Sequence, residues 1–212
     1  MTSTSRSDIP DRMTWEELEG LPQEIARQIE LHDGRVVWAR MPKPRHQRFS
    51  RRVGNMLERN AQAAMRTGEP SGCWQVDMEC NVFFNHSKND FRTPDFVVYH
   101  CLDEIDDDIA VHDVVIAGEI LSPSNGEEDI ESKKAKYAEA GIPWYWQITL
   151  IAGDIAVLRV YALEESTNLP DGILPLRQRN YIQTHEFVAL DEQKLHLDLP
   201  FPIDIDWAEL RF

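Results

Sequence analysis

No stretch of this chain is apolar for long enough to cross a bilayer, which removes a helical membrane span from consideration. Cysteine is scarce. Cys73, Cys80 and Cys101 are odd in number and irregularly spaced, so they suggest neither a disulfide framework nor a zinc knuckle. That usage fits a reducing, cytoplasmic compartment. Net positive charge is also missing. The formal charge of −15 speaks against generic nucleic-acid binding, because phosphate affinity comes mainly from Lys and Arg. There is no internal repeat and no low-complexity block. Residues 1–12 are polar, lack the apolar region of a signal peptide, and are expected to form a disordered arm.

The basic residues are unevenly placed. Between Lys43 and Arg66 the chain carries Lys43, Arg45, Arg48, Arg51, Arg52, Arg59 and Arg66 against only Glu58. Elsewhere acid dominates, as in the run from Asp103 to Asp108. One basic face on an acidic body is the expectation. The same segment, Arg45 to Met65, predicts the clearest helix. Phe49, Val53, Met56, Leu57, Ala61 and Ala64 recur at helical spacing, and most arginines fall off that stripe.

Thr14 with Glu17 reads as a capping box, and so does Ser124 with Glu127. His32-Asp33-Gly34-Arg35 is a hairpin turn signal. Trp74 to Phe84 alternates so well that one half-buried strand is expected, with Gln75, Asp77 and Glu79 on its polar side. Val114 to Ala117 is apolar without interruption, as in a strand covered on both faces. A helix is predicted up to Ala140, where Gly141 and Pro143 stop it. Gly153-Asp154 signals a second hairpin. Trp207, Leu210 and Phe212 make the C-terminus too apolar for a free tail.

Two carboxylates stand out. Asp95 follows Pro94 at a strand start. Glu119 ends an apolar strand, where an unpaired carboxylate is costly. Oxygen ligands at adjacent strand ends can hold a divalent metal. Lys133 follows on the next helix and shares a face with Asp129 and Tyr137 through four-residue spacing. A lysine there can position a water or stabilise a developing anion. Lys134 and Lys136 point to other faces and read as surface residues. Trp144 and Trp146 read as core.

The string Pro94-Asp95, Glu119-Ile120-Leu121-Ser122-Pro123-Ser124 and Lys133 resembles the PD-(D/E)xK nuclease superfamily, and within it a widespread bacterial family of restriction-endonuclease-like proteins. Ile29-Glu30-Leu31-His32-Asp33-Gly34, Pro44-Arg45-His46, Asp129, Tyr137 and Gly141-Ile142-Pro143-Trp144-Tyr145-Trp146 extend the likeness over roughly residues 13 to 162. Leu121 stands where the superfamily usually has its lysine, and Lys133 occupies the relocated position. The resemblance implies that Asp95, Glu119 and the main-chain carbonyl of Ile120 hold Mg²⁺ or Mn²⁺, and that Lys133 is catalytic. It implies that Glu30, His46, Asp129 and Tyr137 support the site. Arg45, Arg48, Arg51 and Arg52 would anchor phosphates.

The expected fold is therefore α/β or α+β: a restriction-endonuclease-like central mixed sheet flanked by helices. Its strands lie near 74–84, 94–99, 113–121, 144–150 and 155–161. Residues 13–162 form the core. Residues 163–212 form a β-rich extension that packs on the core or on a dimer partner. The expected function is hydrolysis of DNA by a metal-dependent, homodimeric endonuclease. The alternatives are a degenerate nuclease fold that binds nucleic acid or protein without cutting, and an acidic module in which Asp103 to Asp108 meets a basic partner.

Overall fold

The computed structural model describes residues 6–39, 42–68, 72–104, 107–121, 126–150, 156–166, 176–188 and 194–210. Within the expected arm, Arg6–Asp8 form one 3-10 turn and Arg12 bridges to Arg35. Arg12 also donates to the Asp33 carbonyl at 2.6 Å, which ties this segment to the first hairpin.

Two short helices follow, α1 (Trp15–Glu19) and α2 (Gln23–Ala26). Thr14 and Glu17 close the capping box on α1, as expected. Strands β1 (Ile29–His32) and β2 (Arg35–Trp38) form the predicted hairpin. Its turn places Asp33 at φ 51° and Gly34 at φ 78°, the left-handed pair that matches strand twist. Helix α3 (Pro44–Thr67) opens with proline in its first turn and ends at Gly68, whose φ of 74° closes it.

The continuous strand expected over 74–84 is broken. Strand β3 (Trp74–Asp77) ends, Glu79 takes φ 53°, and β4 (Val82–Phe83) joins a different sheet with β5 (Phe91–Arg92) and β7 (Ile109–Ala110). The alternation is real but serves two cores. Trp74, Val76 and Met78 pack with α3, whereas Cys80, Val82 and Phe84 pack with the opposite cluster.

The main sheet has six strands in the order β11-β10-β9-β8-β6-β3. These are β6 (Phe96–His100), β8 (Val114–Leu121), β9 (Trp144–Leu150), β10 (Ala156–Glu165) and β11 (Arg179–Val188), beside β3. Only β8 and β9 run parallel, joined by α4 (Glu127–Ala140), so the sheet is mixed, as expected. Helix α4 has Gly126 as its N-cap without a side-chain cap, and Ser124 lies outside the described residues, as does the Gly153-Asp154 turn. At its other end the helix stops at Gly141, as the sequence foretold, and Gly141 adopts φ 89°.

Period-two alternation divides the sheet between two layers. Phe96, Val98, Ile116, Ile120, Trp146 and Ile148 face α3. Val97, Tyr99, Ala117, Tyr145 and Tyr161 face the side that holds Tyr137 of α4. Strands β12 (Leu195–Leu197) and β13 (Ile203–Ile205) with α5 (Trp207–Leu210) cover the α3 layer. The C-terminal segment is thus part of the core, and the division expected after residue 162 falls inside β10. Each large side chain buried here stabilises the fold by about 1.5–3 kcal/mol.

The cysteine expectation is corrected at one pair. Cys73 and Cys101 form a disulfide across the ends of β3 and β6, and Cys80 is free. Antiparallel pairing of Trp74 with His100 brings the two cysteines opposite each other, a proximity that linear spacing did not reveal. The ground for inferring a reducing compartment is removed.

Candidate active site

Asp95 and Glu119 meet because of register. Phe96 pairs with Gly118, so the next step along both strands sets Asp95 opposite Glu119. Gly118 makes this possible: a Cβ there would sit 2.0 Å from the Phe96 ring. The N–H of Ile120 donates to Asp95 Oδ2 at 2.6 Å. His46, in the first turn of α3, approaches Asp95 Oδ1 with Nε2 at 2.9 Å. Ser50, one turn on, donates to the Asp95 carbonyl at 3.3 Å.

Glu119 points to the α4 layer and is buried, at 6% exposure. Lys133 Nζ contacts its two oxygens at 3.2 and 3.3 Å, and the Tyr137 hydroxyl donates to it at 2.9 Å. Burial, opposed by Lys133 and reinforced by Asp95, pushes the Glu119 carboxyl up to about 7. Burial works against the Lys133 charge, but Glu119, Glu30 and Asp95 outweigh it and raise the lysine's pKa. Burial, with the negative charge of Glu119, raises the Tyr137 hydroxyl well above its ordinary value, so it remains a donor.

Glu30, also buried, holds the approach to Asp95. It accepts from the Thr93 N–H at 3.0 Å and pairs with His32 at 2.9 Å. Burial raises its pKa, but His32, Lys133 and Thr93 together bring it below the usual carboxylate range. Asp129 is not brought in: it is exposed in the first turn of α4. Arg48 and Arg51 are exposed on α3, whereas Arg45 and Arg52 are half-buried.

Two features were not read from the sequence. Glu79 leaves the strand alternation, accepts from Gln47 at 2.5 Å, and comes beside His46 and Asp95. One ligand atom from each of these three residues lies within 4.8 Å of the others, so they could hold a cation. The second feature is a buried ion cluster. Asp90 pairs with Lys136 of α4 at 2.6 Å and with Arg92 at 2.9 Å, and Arg92 also donates to the Leu31 carbonyl at 3.3 Å. Lys136 is therefore not a simple surface residue. No local pattern announces either feature, because both depend on chain reversals between short strands.

Mixed sheet, flanking helices and this cluster of carboxylates joined by the half-buried Lys133 define a nuclease-like protein. The chain belongs to the Uma2 family, described as "Putative restriction endonuclease", whose model matches residues 15–179. Among solved structures it is similar to a "putative nuclease belonging to DUF820" from Anabaena variabilis, at 17% identity and a TM-score of 0.56. That match covers 93% of this chain and 97% of the other, and it shows the shared fold. A comparison with proteins of curated function finds no match. Among the described residues, no helix is long and apolar enough to cross a membrane.

Proposed function

We propose that the protein is an endonuclease that hydrolyses DNA phosphodiester bonds with Mg²⁺ or Mn²⁺. The observation that carries this reading is the pairing of Asp95 and Glu119 at neighbouring strand ends with Lys133 seated on Glu119. Asp95, Glu119 and the Ile120 carbonyl form an all-oxygen donor set, which suits these ions. In a strand the N–H and C=O of one residue point to the same edge. Ile120 gives its N–H to Asp95, so its carbonyl turns toward the same side. A bound ion would supply Lewis acidity and an acidified water.

The protein's own groups then have distinct tasks. Lys133, paired with Glu119 at 3.2 Å, is placed as a cation for charge developing on the phosphate. Tyr137 holds Glu119, and Glu30 holds the Thr93 N–H just before Pro94-Asp95. The arginines of α3 bind flanking phosphates, and a homodimer would set two such helices beside one duplex. The test is cleavage of plasmid and single-stranded DNA with and without Mn²⁺. Metal-dependent nicking supports the reading. DNA binding without cleavage in either metal would instead support the non-catalytic alternative.

A further inference from the structure

We propose that His46, Glu79 and Asp95 form a cation site of their own, selective for Mn²⁺ or Co²⁺ over Mg²⁺ and independent of Glu119. It shares Asp95 with the proposed nuclease centre but does not require that the protein cut DNA.

The His46–Asp95 separation matches two ligands of one ion, with Glu79 close by. Ligand atoms at about 2.1 Å from a common ion stand about 3.0 Å apart when cis in an octahedron and about 3.4 Å apart in a tetrahedron. His46 Nε2 and Asp95 Oδ1 are 2.9 Å apart, and a Glu79 oxygen completes the group within 4.8 Å. The three ligands come from α3, from the segment between β3 and β4, and from the residue before β6, so they converge from separate elements.

Two of the ligands are oriented by partners of their own. The Ile120 N–H takes Asp95 Oδ2 and leaves Oδ1 aimed at His46. Gln47 Nε2 takes one Glu79 oxygen at 2.5 Å. Such outer hydrogen bonds fix the direction of first ligands in metal sites. His46 and Asp95 are mostly covered, at 15% and 19% side-chain exposure, while Glu79 is exposed. The site therefore has a firm inner wall and an open side for water or a phosphate oxygen.

The donor chemistry sets the ion. Two carboxylates balance a divalent charge. The imidazole nitrogen favours first-row transition ions, whereas Mg²⁺ prefers oxygen donors and keeps its waters. Glu119, by contrast, is already engaged by Lys133 and Tyr137 of α4.

The experiment is calorimetric titration of the full chain with Mn²⁺ in a large excess of Mg²⁺. Co²⁺ absorption serves as an independent signal of nitrogen ligation. The expected result is one Mn²⁺ per chain, weakened at least tenfold by His46→Gln and by Glu79→Gln and retained in Glu119→Gln. Glu79 is exposed, so Glu79→Gln should melt like the wild type in EDTA. A melting temperature that held while binding fell would isolate the ligand role. Wild-type affinity in Glu79→Gln, no Mn²⁺ binding in excess Mg²⁺, or loss of the ion in Glu119→Gln would each overturn the proposal. Mn²⁺ binding without DNA cleavage would leave it standing and count only against the nuclease reading.

Discussion

Lys133 reaches from α4 to both carboxylate oxygens of Glu119 on β8, at 3.2 and 3.3 Å. Its neighbours on the same helix serve other ends. Lys134 lies 4.0 Å from the Tyr161 ring centre, and Lys136 pairs with Asp90. Lys133→Ala should therefore lower kcat by roughly 10²–10³-fold, the usual loss when one group that stabilises transition-state charge is removed. Lys134→Ala should change kcat little. Lys136→Ala should lower the melting temperature while leaving kcat per folded molecule near wild type. Equal small losses for all three would reduce α4 to a solvated face.

The Asp90 cluster gives a prediction about stability and pH. Burial raises the Asp90 pKa, but Lys136 and Arg92 outweigh it and hold the carboxyl below its ordinary 3.8. A depressed acid contributes stability above its unfolded pKa and loses it as pH falls through the folded value. Asp90→Asn leaves two buried or half-buried cations short of a partner, which costs roughly 3–5 kcal/mol. Thermal melts should show that gap undiminished from about pH 5 to pH 8, narrowing only below about pH 4. A gap that widened in acid would contradict the assignment.

Gly118 carries a packing prediction. A methyl group there would collide with Phe96 at 2.0 Å, and Phe96 is fully buried. Gly118→Ala should destabilise by at least about 1–3 kcal/mol, as overpacking does. It should also disturb the register that brings Asp95 to Glu119. Adding Phe96→Leu should recover part of the loss in a denaturant titration. An unperturbed single variant would mean that the ring has room to move.

Much of this arrangement could be read from residue order. The α3 stripe from Phe49 to Ala64, the covered strand around Val115, and the stop at Gly141 all follow from local periodicity and backbone preference. Asp95, Glu119, Lys133, Tyr137, Glu30 and His46 were legible because motif and spacing survive in sequence. Glu79 was not, since period-two alternation says nothing of a residue that turns to φ 53° and changes sheets. The Cys73–Cys101 bridge and the Asp90–Lys136 pair were hidden for a related reason. Each joins residues that only strand pairing or helix docking makes neighbours. Asp129 shares the helical spacing of Lys133 but not its surroundings, because the first turn of α4 is exposed.

The outer face of α3 gives a binding prediction. Arg48 and Arg51 are exposed there. If they contact phosphates, the slope of log affinity against log salt should flatten by about 0.9 per lost contact. Replacing both by Gln should thus weaken DNA binding and flatten the slope by up to about 1.8, with Mn²⁺ affinity unchanged. Fluorescence anisotropy across a salt series reads both quantities. An unaltered slope would place the nucleic-acid surface elsewhere.

The central claim is that Asp95 and Glu119 build a metal-dependent centre for cutting DNA. The most direct measurement is the rate of plasmid nicking in Mn²⁺ for the wild type, Asp95→Asn and Glu119→Gln, each first shown to be folded by circular dichroism. The account predicts nicking by the wild type that EDTA abolishes, and none above background by either variant. Wild-type rates in either variant, or nicking that survives EDTA, would contradict it.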